Sequence, residues 1–172
     1  MNLRSPQRVL VWLFAVNCCL ILTIWSVSPE RVAIHFGAGG MADGWATRDM
    51  AAVLMLASTG VPFLVFRWGG SLLHRIPERF ASLPFRSYWF STPERRQAVI
   101  MLTDVLLARL GAGVMLLFLV TQVFTLAANR KNPPQLWEAG FLIVLVLFLV
   151  GVGLWVVDLW KSLTPPSNKH HT

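Results

Sequence analysis

A helix needs about 20 apolar residues to cross the hydrocarbon of a bilayer, and this chain contains four stretches of that order. The first, Val9 to Val27, is nineteen residues long, about 28 Å as a helix. Spans are expected at about 9–27, 50–67, 104–127 and 137–160, within one transmembrane domain over residues 1–172. Hydrophobic residues make up 55% of the chain and charged residues 13%, against a soluble average near 25% charged. Lipid can cover the apolar surface, so no large water-excluded core is required. The expected fold class is all-α, an integral membrane four-helix bundle.

Local signals set the ends of the runs. Arg4 and Arg8 precede the first. Its only small-x-small site, Ser26-Val27-Ser28, is followed directly by Pro29, so an uncleaved anchor is expected. Thr47 can cap the second helix, and Asp49 lies in its first turn, where the helix dipole favours an anion. Pro62 is expected to kink that helix, with Ser58 or Thr59 bonding the freed carbonyl. Ser91-Thr92-Pro93-Glu94 fits a capping box for a third helix that starts ahead of its membrane part. Asn129 to Pro134 is a breaker cluster and reads as a loop.

Orientation follows from Lys and Arg. With the N-terminus inside, ten lie in cytoplasmic pieces: Arg4, Arg8, Arg67, Arg75, Arg79, Arg86, Arg95, Arg96, Lys161 and Lys169. Four lie outside: Arg31, Arg48, Arg130 and Lys131. Ten against four selects N-in and C-in by the positive-inside rule. The loop at 28–49 is then extracytoplasmic and that at 68–97 cytoplasmic. Trp25, Trp45 and Trp137 fall at the outer boundary. Trp12, Trp68, Trp89 and Trp160 fall near the inner one, as an aromatic belt would place them. The net charge of +7 is spent on these flanks, not gathered in a stripe with stacking aromatics. Nucleic-acid binding is not expected. Trp155 is one turn deeper and is expected between helices.

Charges near the span ends need partners or water. Arg109 lies eighteen residues from Ala127 and Asp158 twenty-one from Trp137, about 27 and 31 Å along antiparallel helices. An Arg109–Asp158 ion pair is expected, with Asp104 as competitor. Gly111, Gly113, Gly151 and Gly153 allow the same two helices to approach. Asn17, Thr121, Gln122 and Thr125 are candidates for interhelical hydrogen bonds or a small polar cavity. Cys18 and Cys19 are adjacent and mid-span, and read as small apolar residues.

Two loops carry the remaining signal. In the cytoplasmic loop, Leu72, Leu73, Ile76, Phe80, Leu83, Phe85, Tyr88, Trp89 and Phe90 alternate with arginines. Apolar anchors beside cations suit a membrane surface; docking of a cytosolic partner is the other reading. Pro77 and Pro84 break this loop. In the extracytoplasmic loop, Val32, Ile34 and Phe36 alternate with Ala33 and His35, a short extended pattern with His35 off the apolar face. Gly37 to Gly40 loosens the chain, and Asp43-Gly44 marks a turn before Trp45. Two readings of His35 and Asp43 stand. They form a metal or acid–base element, which Glu30 or Asp49 would complete, or they hydrogen-bond loop backbone.

Pro29-Glu30-Arg31, Ile34-His35-Phe36, Gly40 and Asp43-Gly44-Trp45 together resemble a bacterial membrane family. It is a domain of unknown function found in the N-terminal half of SdpI-type toxin-immunity and signalling proteins. Tyr88-Trp89-Phe90 and Pro93-Glu94-Arg95-Arg96 are similar to a second element of some members. The likeness covers about the first hundred residues. It implies a multi-pass protein of the bacterial cytoplasmic membrane with a binding, immunity or accessory role. His35, Asp43, Gly44, Trp45 and Glu30 are then the candidate contacts for an extracytoplasmic ligand or a membrane or extracytoplasmic protein partner. Tyr88, Trp89, Glu94 and Arg95 form an inner-loop motif. No catalytic set or cofactor motif is present, so a non-enzymatic role without cofactor is expected. A small transporter or membrane enzyme with a polar or metal site near His35 is the alternative.

Overall fold

The structure is a computed structural model and describes residues 4–73 and 83–165. Arg75, Ile76, Pro77, Arg79, Phe80 and Lys169 lie outside the described residues. The elements run α1 (Arg4–Val27), β1 (Arg31–Phe36), β2 (Ala42–Thr47), α2 (Arg48–Leu73), α3 (Arg86–Trp89), α4 (Pro93–Asn129) and α5 (Glu138–Leu163), with a 3-10 turn at Ala38–Gly40. The four long helices are each long and apolar enough to cross a membrane. All extend past the apolar runs. α4 does so most, because its polar first turns are started by their own cap.

That cap sits one residue later than the sequence suggests. Thr92 is the N-cap and accepts from the Arg95 amide at 3.3 Å, with Pro93 in the first turn. Ser91 instead donates to the Tyr88 carbonyl and accepts from the Arg95 guanidinium. At α2, the Met50 amide donates to the Thr47 hydroxyl at 3.2 Å. α2 continues through Pro62. Ser58 and Thr59 turn back to the Met55 and Leu56 carbonyls rather than to the carbonyl that Pro62 leaves without a donor. The donor lost at Pro62 is thus not replaced by these hydroxyls.

α1, α2 and α4 pack against one another, while α5 packs on α4. Close approach in the three-helix part rests on two glycines. A Cβ on Gly111 would lie 2.6 Å from the Phe66 Cβ, and one on Gly70 would overlap the Asp104 carboxylate. Phe14 of α1 stacks on Phe63 of α2 with ring centroids 4.0 Å apart. Inside this bundle Asn17 is fully buried. Its Nδ2 donates to the Leu13 and Met115 carbonyls at 2.8 and 3.0 Å, and its Oδ1 accepts from Gln122 at 3.1 Å. A carboxamide that takes another helix's carbonyl satisfies polar atoms that lipid cannot. Asn17 therefore fixes the register of α1 on α4. Thr121 and Thr125 bond carbonyls of their own helix instead.

α5 is different. Leu142, Ile143, Leu147, Val150 and Leu154 are exposed along it. Gly113, Gly151 and Gly153 do not bring α4 and α5 together: a Cβ at any of them meets no described atom within 4 Å. At the far end from the hairpin, Trp89 donates to the Leu163 carbonyl at 2.8 Å and packs beside Val99, Ile100 and Leu163. That contact ties α3 and the start of α4 to the end of α5.

Candidate functional site

The segment joining α1 to α2 is a two-stranded antiparallel hairpin, so the fold is mostly helical but not all-α. Arg31 pairs with Thr47, Val32 with Ala46 and Ala33 with Trp45; after one register shift His35 pairs with Gly44, and after a second Phe36 pairs with Ala42. The first shift leaves Ile34, and the second Asp43, without a partner in the ladder, as in β-bulges. Strict alternation therefore fails. Val32 and Ala33 are both buried, while Ile34 and His35 are both exposed.

An isolated hairpin is marginal in water, and this one is held from outside. Asn129, at the last turn of α4, clamps Ala33. Its Nδ2 donates to the Ala33 carbonyl at 2.9 Å and its Oδ1 accepts from the Ala33 amide at 2.8 Å. One carboxamide thus replaces a neighbouring strand on the β1 edge. A second bond, from Nδ2 to the Thr125 carbonyl, fixes the rotamer. The hairpin tip docks on the α4–α5 loop. The Leu136 amide donates to the Gly40 carbonyl at 2.8 Å, the Ala42 amide to the Pro134 carbonyl at 3.4 Å, and Met41 bridges Gln135. Gly40 has φ +73, and a Cβ there would collide with the Leu136 carbonyl oxygen. Only glycine suits both the backbone and the approach.

The exposed side of this mount carries the polar residues. His35 Nδ1 lies 2.5 Å from Asp43 Oδ1, with both side chains more than half exposed. A carboxylate only accepts, so Nδ1 carries the hydrogen of this bond. The two residues bond each other rather than loop backbone. Their approach depends on two glycines. A Cβ on Gly44 would lie 2.7 Å from the His35 Cβ, and one on Gly37 would lie 2.6 Å from Asp43 Oδ2. Trp45 is exposed, with the Arg31 guanidinium 5.8 Å from its ring centroid. Glu30 is exposed and its carbonyl accepts from the Arg48 amide at 2.9 Å. Asp49 accepts from Trp25 Nε1 at 2.7 Å, and Arg48 lies over the Trp25 ring. Asp49 is thus committed to anchoring α1 on α2. Among the described residues, His, Cys, Asp and Glu form no group of three or more able to hold a metal ion.

The other sequence candidates lie elsewhere. Arg109 donates to Asp158 at 3.0 Å across α4 and α5. Asp104 lies on the α2 side, against Gly70. Tyr88, Trp89, Glu94 and Arg95 gather at the end away from the hairpin, with Arg95 4.2 Å from the Tyr88 centroid. Hydrogen bonds from its own amide and from Thr92 hold the exposed Glu94 carboxyl below its ordinary pKa. Asn129 was legible only as a loop breaker. Its partner is 96 residues away, and no local pattern points to it.

The hairpin and its two flanking helices are also where a family is matched. Residues 12–59 match the domain of unknown function DUF1648. The matched segment holds most of α1, the whole hairpin and the first half of α2, but neither Asn129 nor the loop that receives Gly40. No curated protein and no solved structure gives a significant match to the chain.

Proposed function

We propose that this is a multi-pass protein of the bacterial cytoplasmic membrane that presents its hairpin outside the cell as a fixed binding platform. The role is that of a non-enzymatic binding, immunity or accessory subunit, as the likeness to SdpI-type proteins suggests. Both termini face the cytoplasm, on the Lys and Arg count. The observation that carries the reading is the mount. Asn129, Gly40 and the Pro134–Leu136 segment hold the hairpin on the bundle, while Arg31, His35, Asp43 and Trp45 stay exposed. A platform held in advance loses less freedom on binding than a free loop would. The partner is an extracytoplasmic ligand or protein that meets an imidazole–carboxylate pair and a guanidinium-covered indole.

Two measurements test this. Cysteines placed singly at Thr47 and Lys161, in a chain with Cys18 and Cys19 replaced, are treated with a membrane-impermeant maleimide on intact cells. Labelling at 47 and protection at 161 are expected; the reverse pattern refutes the orientation. A photocrosslinking side chain at Thr47 should then give one discrete adduct in native membranes. The adduct should disappear with His35→Ala or Trp45→Ala at unchanged protein level. An adduct indifferent to both substitutions refutes the platform.

A further inference from the structure

α4 and α5 touch at two places and part between them. At one end Trp155 Nε1 donates to the Leu106 carbonyl at 2.9 Å, and Arg109 bonds Asp158. At the other, Phe124 packs against Trp137 and Phe141, each with centroids 6.2 Å apart. The stretch between is a slot of about 450 Å³. Its walls are apolar, from Leu110, Gly113 and Leu117 on α4 and Leu147, Phe148 and Gly151 on α5. Lining residues run from Arg109 to Val120 and from Val144 to Trp155, about 16 Å along each helix.

We propose that this slot holds one acyl chain of a phosphate-headed lipid, with the phosphate on Arg109. The inference rests on the membrane placement proposed above and not on the hairpin's role. The apolar lining decides the kind of occupant. A single hydrocarbon chain is thin and apolar, and it restores the dispersion contacts that the missing Gly113 and Gly151 side chains forgo. The free donors of Arg109 decide the head, since its charge is shared with the Asp158 carboxylate. Arg109 is the cation lining the slot, at its end toward the membrane face away from the hairpin. Its side chain is 44% exposed, and the bond to Asp158 engages Nη1. A planar guanidinium presents further donors that match phosphate oxygens. The lipid then stands along the bilayer normal, head at the interface and chain toward the midplane, as its neighbours do.

The full chain, purified in detergent, is offered phosphatidylglycerol or diacylglycerol with the same acyl chains, and retained lipid is counted by native mass spectrometry. Wild type should keep one phosphatidylglycerol per chain and retain diacylglycerol about tenfold less, the worth of one charge-assisted hydrogen bond. Gly113→Leu and Gly151→Leu fill the slot and should abolish retention. Gly153→Leu, in the same helix but off the slot, should not. The neutral pair Arg109→Gln/Asp158→Asn should erase the preference between the two lipids. Equal retention by wild type and the two filled variants overturns the proposal, as does equal retention of both lipids by wild type. A second readout is quenching by phosphatidylglycerol brominated on its acyl chain: the quenched part of the emission should fall in Trp155→Phe, and equal quenching of wild type and Trp155→Phe overturns the proposal as well.

Discussion

Replacing Asn129 by alanine should release the hairpin without unfolding the helices. The substitution removes both hydrogen bonds to Ala33 at once. Ala33 is fully buried, so its amide and carbonyl lose their partners where water does not reach. An unsatisfied buried polar group costs about 1–3 kcal/mol. Two such groups, partly relieved if the hairpin lifts toward water, give roughly 2–4 kcal/mol. That far exceeds what a two-stranded hairpin can supply alone. The hairpin should therefore open locally. Hydrogen exchange reads this directly: 2–4 kcal/mol corresponds to about 30- to 700-fold faster exchange of the hairpin amides. Amides in the middle of α1 and α4 should be unchanged. Asn129→Asp keeps the acceptor for the Ala33 amide but has no donor for its carbonyl, so an intermediate acceleration is expected. Unchanged exchange in the Asn129→Ala hairpin would refute the clamp. Equal acceleration throughout the bundle would show instead that Asn129 supports the whole fold.

Three further outcomes are expected. Gly40→Ala meets a left-handed backbone and the Leu136 carbonyl together; the backbone alone costs about 1–2 kcal/mol, and thermal unfolding in detergent should fall accordingly. A double-mutant cycle of Asn17→Val and Gln122→Leu should give a coupling of about 0.5–1.7 kcal/mol by denaturant titration, the range for hydrogen bonds between helices in lipid. The Asn17 change should cost more, because it removes both hydrogen bonds between α1 and α4, that to the Met115 carbonyl and that from Gln122, whereas Gln122 Oε1 has no hydrogen-bond partner among the described residues. Reversing Arg109 or Asp158 singly should lower stability, because it sets two like charges together near the end of the spans, by less than the roughly 3 kcal/mol of a charge at the bilayer centre. The swap Arg109→Asp/Asp158→Arg should recover most of the loss, and no recovery in the same titration would show that the two do not act as a pair.

Periodicity and span length made the helices legible because each apolar run carries its own evidence. Helix depth counted at 1.5 Å per residue also points Arg109 at Asp158, since two consecutive antiparallel helices leave little freedom. The hairpin was legible only in part. Val32 to Phe36 alternates, but β2 reads Ala42-Asp43-Gly44-Trp45-Ala46-Thr47, with one aromatic and one β-branched residue and no alternation to count. Its pairing is set by Gly44 opposite His35 and by Asn129, which lies outside the segment altogether. The bulge at Ile34 likewise depends on the partner strand. Glycine spacing misled for a related reason. Small residues permit an approach without requiring one, and Gly111 meets Phe66 and Leu10 while Gly113, two residues on, faces the slot.

The exposed pair on the hairpin adds little to folding. A polar pair this exposed contributes between zero and about 1 kcal/mol. Two glycines, Gly37 and Gly44, nevertheless leave room for it, and each costs backbone entropy on folding relative to alanine. Positions that cost stability in order to orient a weakly stabilising pair are poorly explained by folding. They are better explained by what the pair presents. Asp43 sets the His35 tautomer, Arg31 covers one ring of the same surface at Trp45, and the mount beneath is supplied from α4 and the loop after it. On the proposed reading, recognition chemistry and support come from different parts of the chain. Changing the support should alter how long the surface keeps its shape, and changing the surface should alter what it meets. Asn129→Ala and Trp45→Ala separate the two, because the first acts through the Ala33 backbone and the second through an exposed ring.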